Sequence, residues 1–313
     1  MELAAEDQLR LEILFTRPLQ AVRIDESQLI LHALAEDGEV QITLHPNDRP
    51  ERYIRRLREA LANRSPGSPK GYPVHLSRWI RHGQVGNGPM AGDNLAQLLL
   101  SGEPEAIIAV AHSPALTHEI ARRAWWAMPN IENARLMLQR SAVAKGDMGI
   151  VLANFLMEHL PFLQEDPIAI MDTVITLLYS ETLSPTQEDT IWRRGQRSRC
   201  IYCGFLELRA TRLPGATGPE DDRVFARTAL EVLDKPETQE VITRTLNAIG
   251  QHFTQRLSPH ATAETTALAR VNANLVEPIF ARSTAIGTLM REKTEPALRP
   301  VQEGLLRVAK ATT

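Results

Sequence analysis

Apolar and polar residues alternate in two short runs near the start of the chain, QLILHAL and EVQITLH, which flank Asp37-Gly38. A period of two predicts strands, and Asp-Gly between such runs predicts a hairpin with a tight turn of positive φ. In the second run Val40, Ile42 and Leu44 share one face while Gln41, Thr43 and His45 share the other, so one face is expected to be wet. A lone hairpin is marginal in water. The segment from residue 48 to 62 supplies a cover, because helical spacing gathers Tyr53, Ile54, Leu57 and Leu61 on one stripe. Arg52, Arg55, Arg56 and Arg58 fall on its opposite face and are expected in solvent. Residues 6 to 16 fit a short helix and an edge strand equally well.

Two stretches interrupt the pattern. SPGSPKGYP, residues 65 to 73, has the Ser, Pro and Gly clustering of a linker. HGQVGNGPMAGDN is rich in glycine, but it lacks the order of a phosphate-binding loop and follows no convincing strand, so it reads as a plain loop. Beyond residue 91 the apolar period lengthens to that of helices. Ser113-Pro114, Asp166-Pro167 and Ser184-Pro185 each set a capping side chain before a proline, and Ser184 with Gln187 fits a capping box. Helices are expected near 94 to 101, 104 to 112, 115 to 128, 131 to 140, 147 to 160, 167 to 180, 185 to 209, 222 to 233, 237 to 257, 262 to 283 and 297 to 310. The predicted fold is mainly α: a small β-hairpin plus helix module (1–64), a linker and loop (65–93), and an α-helical array of solenoid-like helix pairs (94–313).

One expected helix carries an anomaly, the adjacent pair Trp125 and Trp126 in ARRAWWAMPNIENARLML. At 3.6 residues per turn, Leu116, Ile120, Ala121, Ala124, Ala127 and Met128 form the core stripe, with Trp125 at its edge. Trp126 falls on the other side, among Glu119, Arg122 and Arg123. Two solutions are open: Trp126 packs against a neighbouring helix or under the aliphatic stem of Arg122, with a cation–π contact, or it anchors a partner.

Composition narrows the function classes. The chain has 313 residues, 43% hydrophobic and 23% charged, with a net charge of −3, so bulk charge favours neither DNA nor a membrane surface and any anion site is local. The start, MELAAEDQLR, is acidic where a signal peptide is basic, and no run approaches the ~18 apolar residues of a membrane span. A cytoplasmic location is expected. The two cysteines, Cys200 and Cys203, make no disulfide framework, in keeping with a reducing compartment.

Those cysteines lie in WRRGQRSRCIYCGF, which joins a CxxC to Arg193, Arg194, Arg197, Arg199 and Trp192. On a helix the sulfurs would sit a turn apart, and neighbouring positive charge would favour the thiolate needed for sulfur or redox exchange. Redox CxxC pairs belong at a helix start after a strand, whereas this pair sits late in a helical run beside Ile201, Tyr202 and Phe205; small core residues explain it as well. The arginines with Trp192 suit phosphate contact and base stacking, or a solvated face paired with Glu188 and Asp189. No second CxxC or paired histidines complete a metal site, no cofactor motif is present, and no nucleophile or acid/base pattern marks an enzyme.

Four segments taken in order resemble a known family: GYPVHLSRWIRHGQ, then LLLSGEPEAIIAVAHSPALTHEIARRAWWAMPNIENARLML, then GIVLANFLMEHLPF, then IWRRGQRSRCIYCGFLEL. The chain is similar here to the sulfur reduction protein DsrS family, encoded beside reverse dissimilatory sulfite reductase genes in sulfur-oxidising proteobacteria. RRAWWAMPNIENAR is the most specific element. The resemblance implies a cytoplasmic accessory protein of sulfur metabolism, regulatory rather than catalytic, and it carries no catalytic residues. The expected function is therefore non-catalytic binding of another protein or an RNA, with Arg122, Arg123, Trp126, Trp192, Arg193, Arg194, Arg197 and Arg199 as the contact surface. Thiol chemistry at Cys200 and Cys203 is the alternative.

Overall fold

The computed structural model describes residues 3–64, 92–163, 165–218 and 221–311. The linker at 65 to 73 and the glycine-rich stretch up to residue 91 lie outside the described residues. The chain is mainly α, 64% helical, with a small antiparallel sheet near its start. It divides into two compact units, residues 1–155 and 156–313.

The first unit opens with helix α1 (Ala5–Leu14), which resolves the ambiguity at residues 6 to 16. The sheet has three strands in the order β1 (Leu19–Asp25), β2 (Ile30–Ala35) and β3 (Gly38–Thr43). The β2–β3 hairpin pairs Ala35 with Gly38 at φ +135°, as the Asp-Gly signal predicts. Strand β1 is not announced by any alternation of apolar residues, and it turns into β2 through Asp25, whose Oδ1 accepts the Ser27 and Gln28 amides at 3.0 Å each. Val22, Leu31, Ala33 and Ile42 on one face meet Leu11 and Leu14 of α1 and Tyr53, Leu57 and Leu61 of α2 (Pro50–Arg64) in a closed core. That is the cover the hairpin requires.

At its centre Asp7, fully buried, accepts the His45 amide at 2.7 Å and the Tyr53 hydroxyl, joining α1, the end of β3 and α2. Arg52 and Arg55 face solvent, but Arg56 and Arg58 are largely covered. Arg56 pairs with Asp48, and Arg58 donates to Glu26 at 2.7 Å and to the Gly102 carbonyl at 3.2 Å. Their long stems let charged heads on the outer side reach acceptors beyond the helix.

Helices α3 (Gly92–Leu98), α4 (Pro104–His112), α5 (His118–Ala127), α6 (Ile131–Leu138) and α7 (Ser141–Ala144) follow, and α8 (Asp147–His159) starts in the first unit and ends in the second, to which its residues from Leu156 on belong. Helix α5 starts after Thr117, whose side chain caps Ile120, rather than at Ser113-Pro114. Ser113 instead makes a local bond to the Ala115 amide at 3.2 Å. The wet face expected of the hairpin holds for Gln41 and Thr43, which are exposed. Toward β1 it fails, because α5 packs there and leaves Ala21 with no exposure.

The second unit holds α9 (Pro167–Ser180), α10 (Pro185–Arg194), α11 (Arg199–Leu208), α12 (Asp222–Asp234), α13 (Gln239–Thr254), α14 (Ala263–Leu268), α15 (Glu277–Phe280) and α16 (Gly287–Lys310). Its centre is α11, buried continuously from Cys200 to Leu206 and packed on by α9, α12 and α13. A helix apolar all round belongs inside a stack. Arg244 of α13 clamps two of its neighbours, donating from Nη1 to Asp172 of α9 at 2.8 Å and from Nη2 to Glu207 of α11 at 2.8 Å.

Three expected helices differ. The 185 to 209 segment is broken at Gly195–Ser198. The 262 to 283 segment divides into α14, a 3₁₀ turn (Ala273–Leu275) and α15, because Asn272 caps Asn274 and Asn247 captures the Ala273 amide at 2.9 Å. The last helix begins at Gly287 and runs through Pro296 and Pro300. Both prolines are exposed, while Met290, Leu298, Val301 and Leu305 are buried; that stripe outweighs the helix-breaking cost.

Candidate functional site

The arginine-rich segment forms a corner between α10 and α11. Ser184 starts α10 with the expected capping box, and the helix stops at Gly195, where an added Cβ would lie 2.2 Å from the Tyr202 ring. Trp192 explains the fold-back: its ring lies 4.6 Å from Tyr202 and 5.0 Å, edge-on, from Phe205. The ring that could stack on a base is thus engaged by α11.

Three of the four arginines have internal partners. Arg193 meets Asp189 at 2.5 Å, one turn back on α10, as the surface-pairing reading expected. Arg194 donates to the Met157 carbonyl at 3.0 Å in the last turn of α8, where a cation complements the helix end. Arg199 reaches Glu231 at 3.2 Å and lies 5.6 Å from the Tyr202 ring centre. Arg197 is exposed and has no side-chain partner among the described residues. The corner therefore presents Arg193 and Arg197 outward from a braced base.

Cys200 and Cys203 lie on the inner side of that corner, fully buried. The electrostatics run against a reactive thiolate. The group facing Cys200 is the Glu237 carboxylate, which accepts its thiol at 2.6 Å and the Arg199 amide at 2.6 Å. Burial, then that carboxylate, pushes the Cys200 thiol far above its ordinary range. Burial pushes Cys203 up to about 12, and its sulfur accepts the Thr245 hydroxyl at 3.4 Å. Glu237 carries no motif, and its only sequence signal is an acid in a short turn between helices.

Trp126 packs on the outer face of the sheet beside Arg23, and not on a helix or under the Arg122 stem as expected. Its indole Nε1 donates to Glu39 Oε2 at 3.3 Å, and the Arg23 guanidinium carbon sits 4.9 Å from the ring centre. Glu39 also meets Arg23 at 3.2 Å and His32 at 3.0 Å, so the tryptophan closes a polar cluster on the outer face of the sheet. Burial would raise the Glu39 carboxyl, but bonds from Trp126 and His32 and the Arg23 charge outweigh it and hold the group low. Arg122 and Arg123 both pair with Glu119, at 2.8 and 3.0 Å, and Arg122 also donates to Gln20 at 2.8 Å, across an irregularity in β1 that re-aims this side chain. Trp125 packs edge-on to Phe155 at 4.7 Å. Arg23 went unnoticed as a partner because β1 was missed, and His32 and Glu39 because nothing local in the sequence places the helix of Trp126 against the outer face of the sheet.

Among the described residues no group of three His, Cys, Asp or Glu side chains is placed to hold a metal, and no helix is long and apolar enough to cross a membrane. Comparison with family models, curated proteins and solved structures found no match.

Proposed function

We propose that this chain is a non-catalytic accessory protein that acts by binding another protein through the α10–α11 corner. The carrying observation is the pair Arg193 and Arg197, exposed on a base braced by Trp192, Tyr202 and Phe205. Arginine on a rigid platform loses little freedom on contact and offers several donors in a fixed fork. Within the two partner classes, protein is favoured over RNA, since Trp192 is occupied inside the corner and leaves no aromatic platform there for a base. The place in cytoplasmic sulfur oxidation rests on the resemblance of RRAWWAMPNIENAR and its companion segments alone.

The test compares wild-type chain with an Arg193→Ala, Arg197→Ala double variant as bait in extract of a sulfur-oxidising bacterium, with Arg299→Ala, exposed on α16, as control. A partner retained by wild type and control but lost from the double variant supports the reading. Equal retention by all three, or saturable binding of a labelled RNA oligonucleotide that the double variant loses, overturns it.

A further inference from the structure

The two edges of the sheet differ. At β1 the edge is closed: the Val22 amide donates to the Leu99 carbonyl at 2.8 Å, an irregularity breaks the register between Leu19 and Ala21, and α5 packs against the strand. Strand β3 is paired on one side only, in unbroken register with β2. The ladder runs on to the Leu44 amide, which donates to the Leu29 carbonyl at 2.8 Å. By antiparallel alternation Val40, Ile42 and Leu44 then bond toward β2, while Glu39, Gln41 and Thr43 turn their backbone groups outward. Of those outward groups the Thr43 carbonyl accepts Arg10 Nη1 at 3.1 Å, and the others have no partner among the described residues. The strand carries no proline, lysine or bulge, three devices that keep an edge from pairing.

Helix α1 runs beside this edge, antiparallel to β3. Arg10 meets Thr43 at the end of the strand, and Arg17, just past the helix, meets Asp37 before the strand starts, at 3.3 Å. Ile13 lies on the Arg10 side of α1, three residues on, with Leu9 one turn before it; both are 60% exposed.

We propose that this edge pairs with the same edge of a second copy of the chain, making one six-stranded sheet about a two-fold axis at Gln41. With Gln41 facing its own counterpart, Glu39 stands opposite Thr43 of the second copy, so every outward amide meets a carbonyl and the two Glu39 carboxylates stay apart. The Thr43 carbonyl has a second lone pair for the incoming amide. Charge favours a second copy as the occupant. The same register sets the exposed acids of the β2–β3 turn, Glu36 and Asp37, beside Arg10 and His45 of the other copy, which lie 3.4 Å apart in each chain. Acid thus faces base at both ends of the paired strands. Leu9 and Ile13 of the two α1 helices meet across the axis, which covers two large apolar side chains that each single chain leaves exposed.

Sedimentation equilibrium of the whole protein, from about 1 to 100 µM, is expected to show a mass rising to twice 34.9 kDa. Gln41→Pro removes one outward amide and no bond to β2. That variant, and a Leu9→Glu, Ile13→Glu double variant altered only at exposed positions, are each expected to weaken self-association at least about tenfold. Arg55→Ala, exposed on α2, is expected to leave it unchanged. Under mild oxidation Gln41→Cys is expected to join two copies by a disulfide, since facing residues of a hydrogen-bonded pair have Cα atoms about 5.5 Å apart. Glu39→Cys, about 14 Å from its own counterpart at ~3.4 Å per residue, is not. A mass of 34.9 kDa at every concentration overturns the proposal. So does a dimer that either edge variant leaves intact, an equal loss in Arg55→Ala, or linking of Glu39→Cys as readily as Gln41→Cys, since each places the contact on another surface.

Discussion

At the scale of single residues, charged groups in this protein are held mostly by one another. The Glu119 carboxyl shows it most strongly: the Arg122 hydrogen bond pulls it down to about 2, against a penalty from burial and with help from Arg123. A depressed acid stabilises the fold above its unfolded pKa, about 4.3, and that contribution fades as pH falls toward 2. Carbon-detected NMR titration of Glu119 should show the low midpoint, and Arg122→Ala should move it up toward the ordinary value. The contribution to stability is small, because the Glu119 side chain is 48% exposed and solvent screens it. Trp126 matters more. It is half-buried over Arg23 and Glu39, so Trp126→Ala should cost about 2 kcal/mol in urea unfolding, below the roughly 3–5 kcal/mol of a fully buried ring. Trp126→Phe should recover most of the packing but not the bond to Glu39.

Among the elements, tight approach of backbones decides where helices turn. An added Cβ at Gly250 of α13 would lie 1.9 Å from the Val271 carbonyl oxygen, so Gly250→Ala forces the chain after α14 away and should cost about 3 kcal/mol. Gly218→Ala, with nothing within 4 Å, should stay within about 0.5 kcal/mol by the same unfolding measurement. Contacts of this kind explain what was legible in the sequence. The β2–β3 hairpin, α2 and the capped starts of α9 and α10 rest on local signals, period and capping, that a single chain displays. Strand β1 was not legible because its seven residues owe their place to pairing with β2 and to α5, which packs over its outer side. The break at Gly195 was hidden for the same reason, since nothing near it in sequence announces that Trp192 folds back onto Tyr202 and Phe205. The arginine corner was legible as a cluster of residue types; which arginines face outward depends on Asp189, Met157 and Glu231, from three different parts of the chain.

For the molecule as a whole, the two readings of function divide at the core of the second unit. Helix α11 is its most enclosed element and carries both sulfurs inward, with a carboxylate rather than a guanidinium against Cys200. A thiol that must meet a partner or donate sulfur needs access and a low pKa, and burial denies both. What that helix supports is the outside of its corner, where Arg193 and Arg197 are presented. The most direct measurement is thiol labelling of the reduced, native protein with iodoacetamide near pH 8, about half a unit below a free thiol's pKa, read by intact mass beside the same reaction in denaturant. The account predicts no label on the folded chain and two labels after unfolding. Rapid labelling of Cys200 or Cys203 in the native protein would contradict it and return the corner to sulfur chemistry.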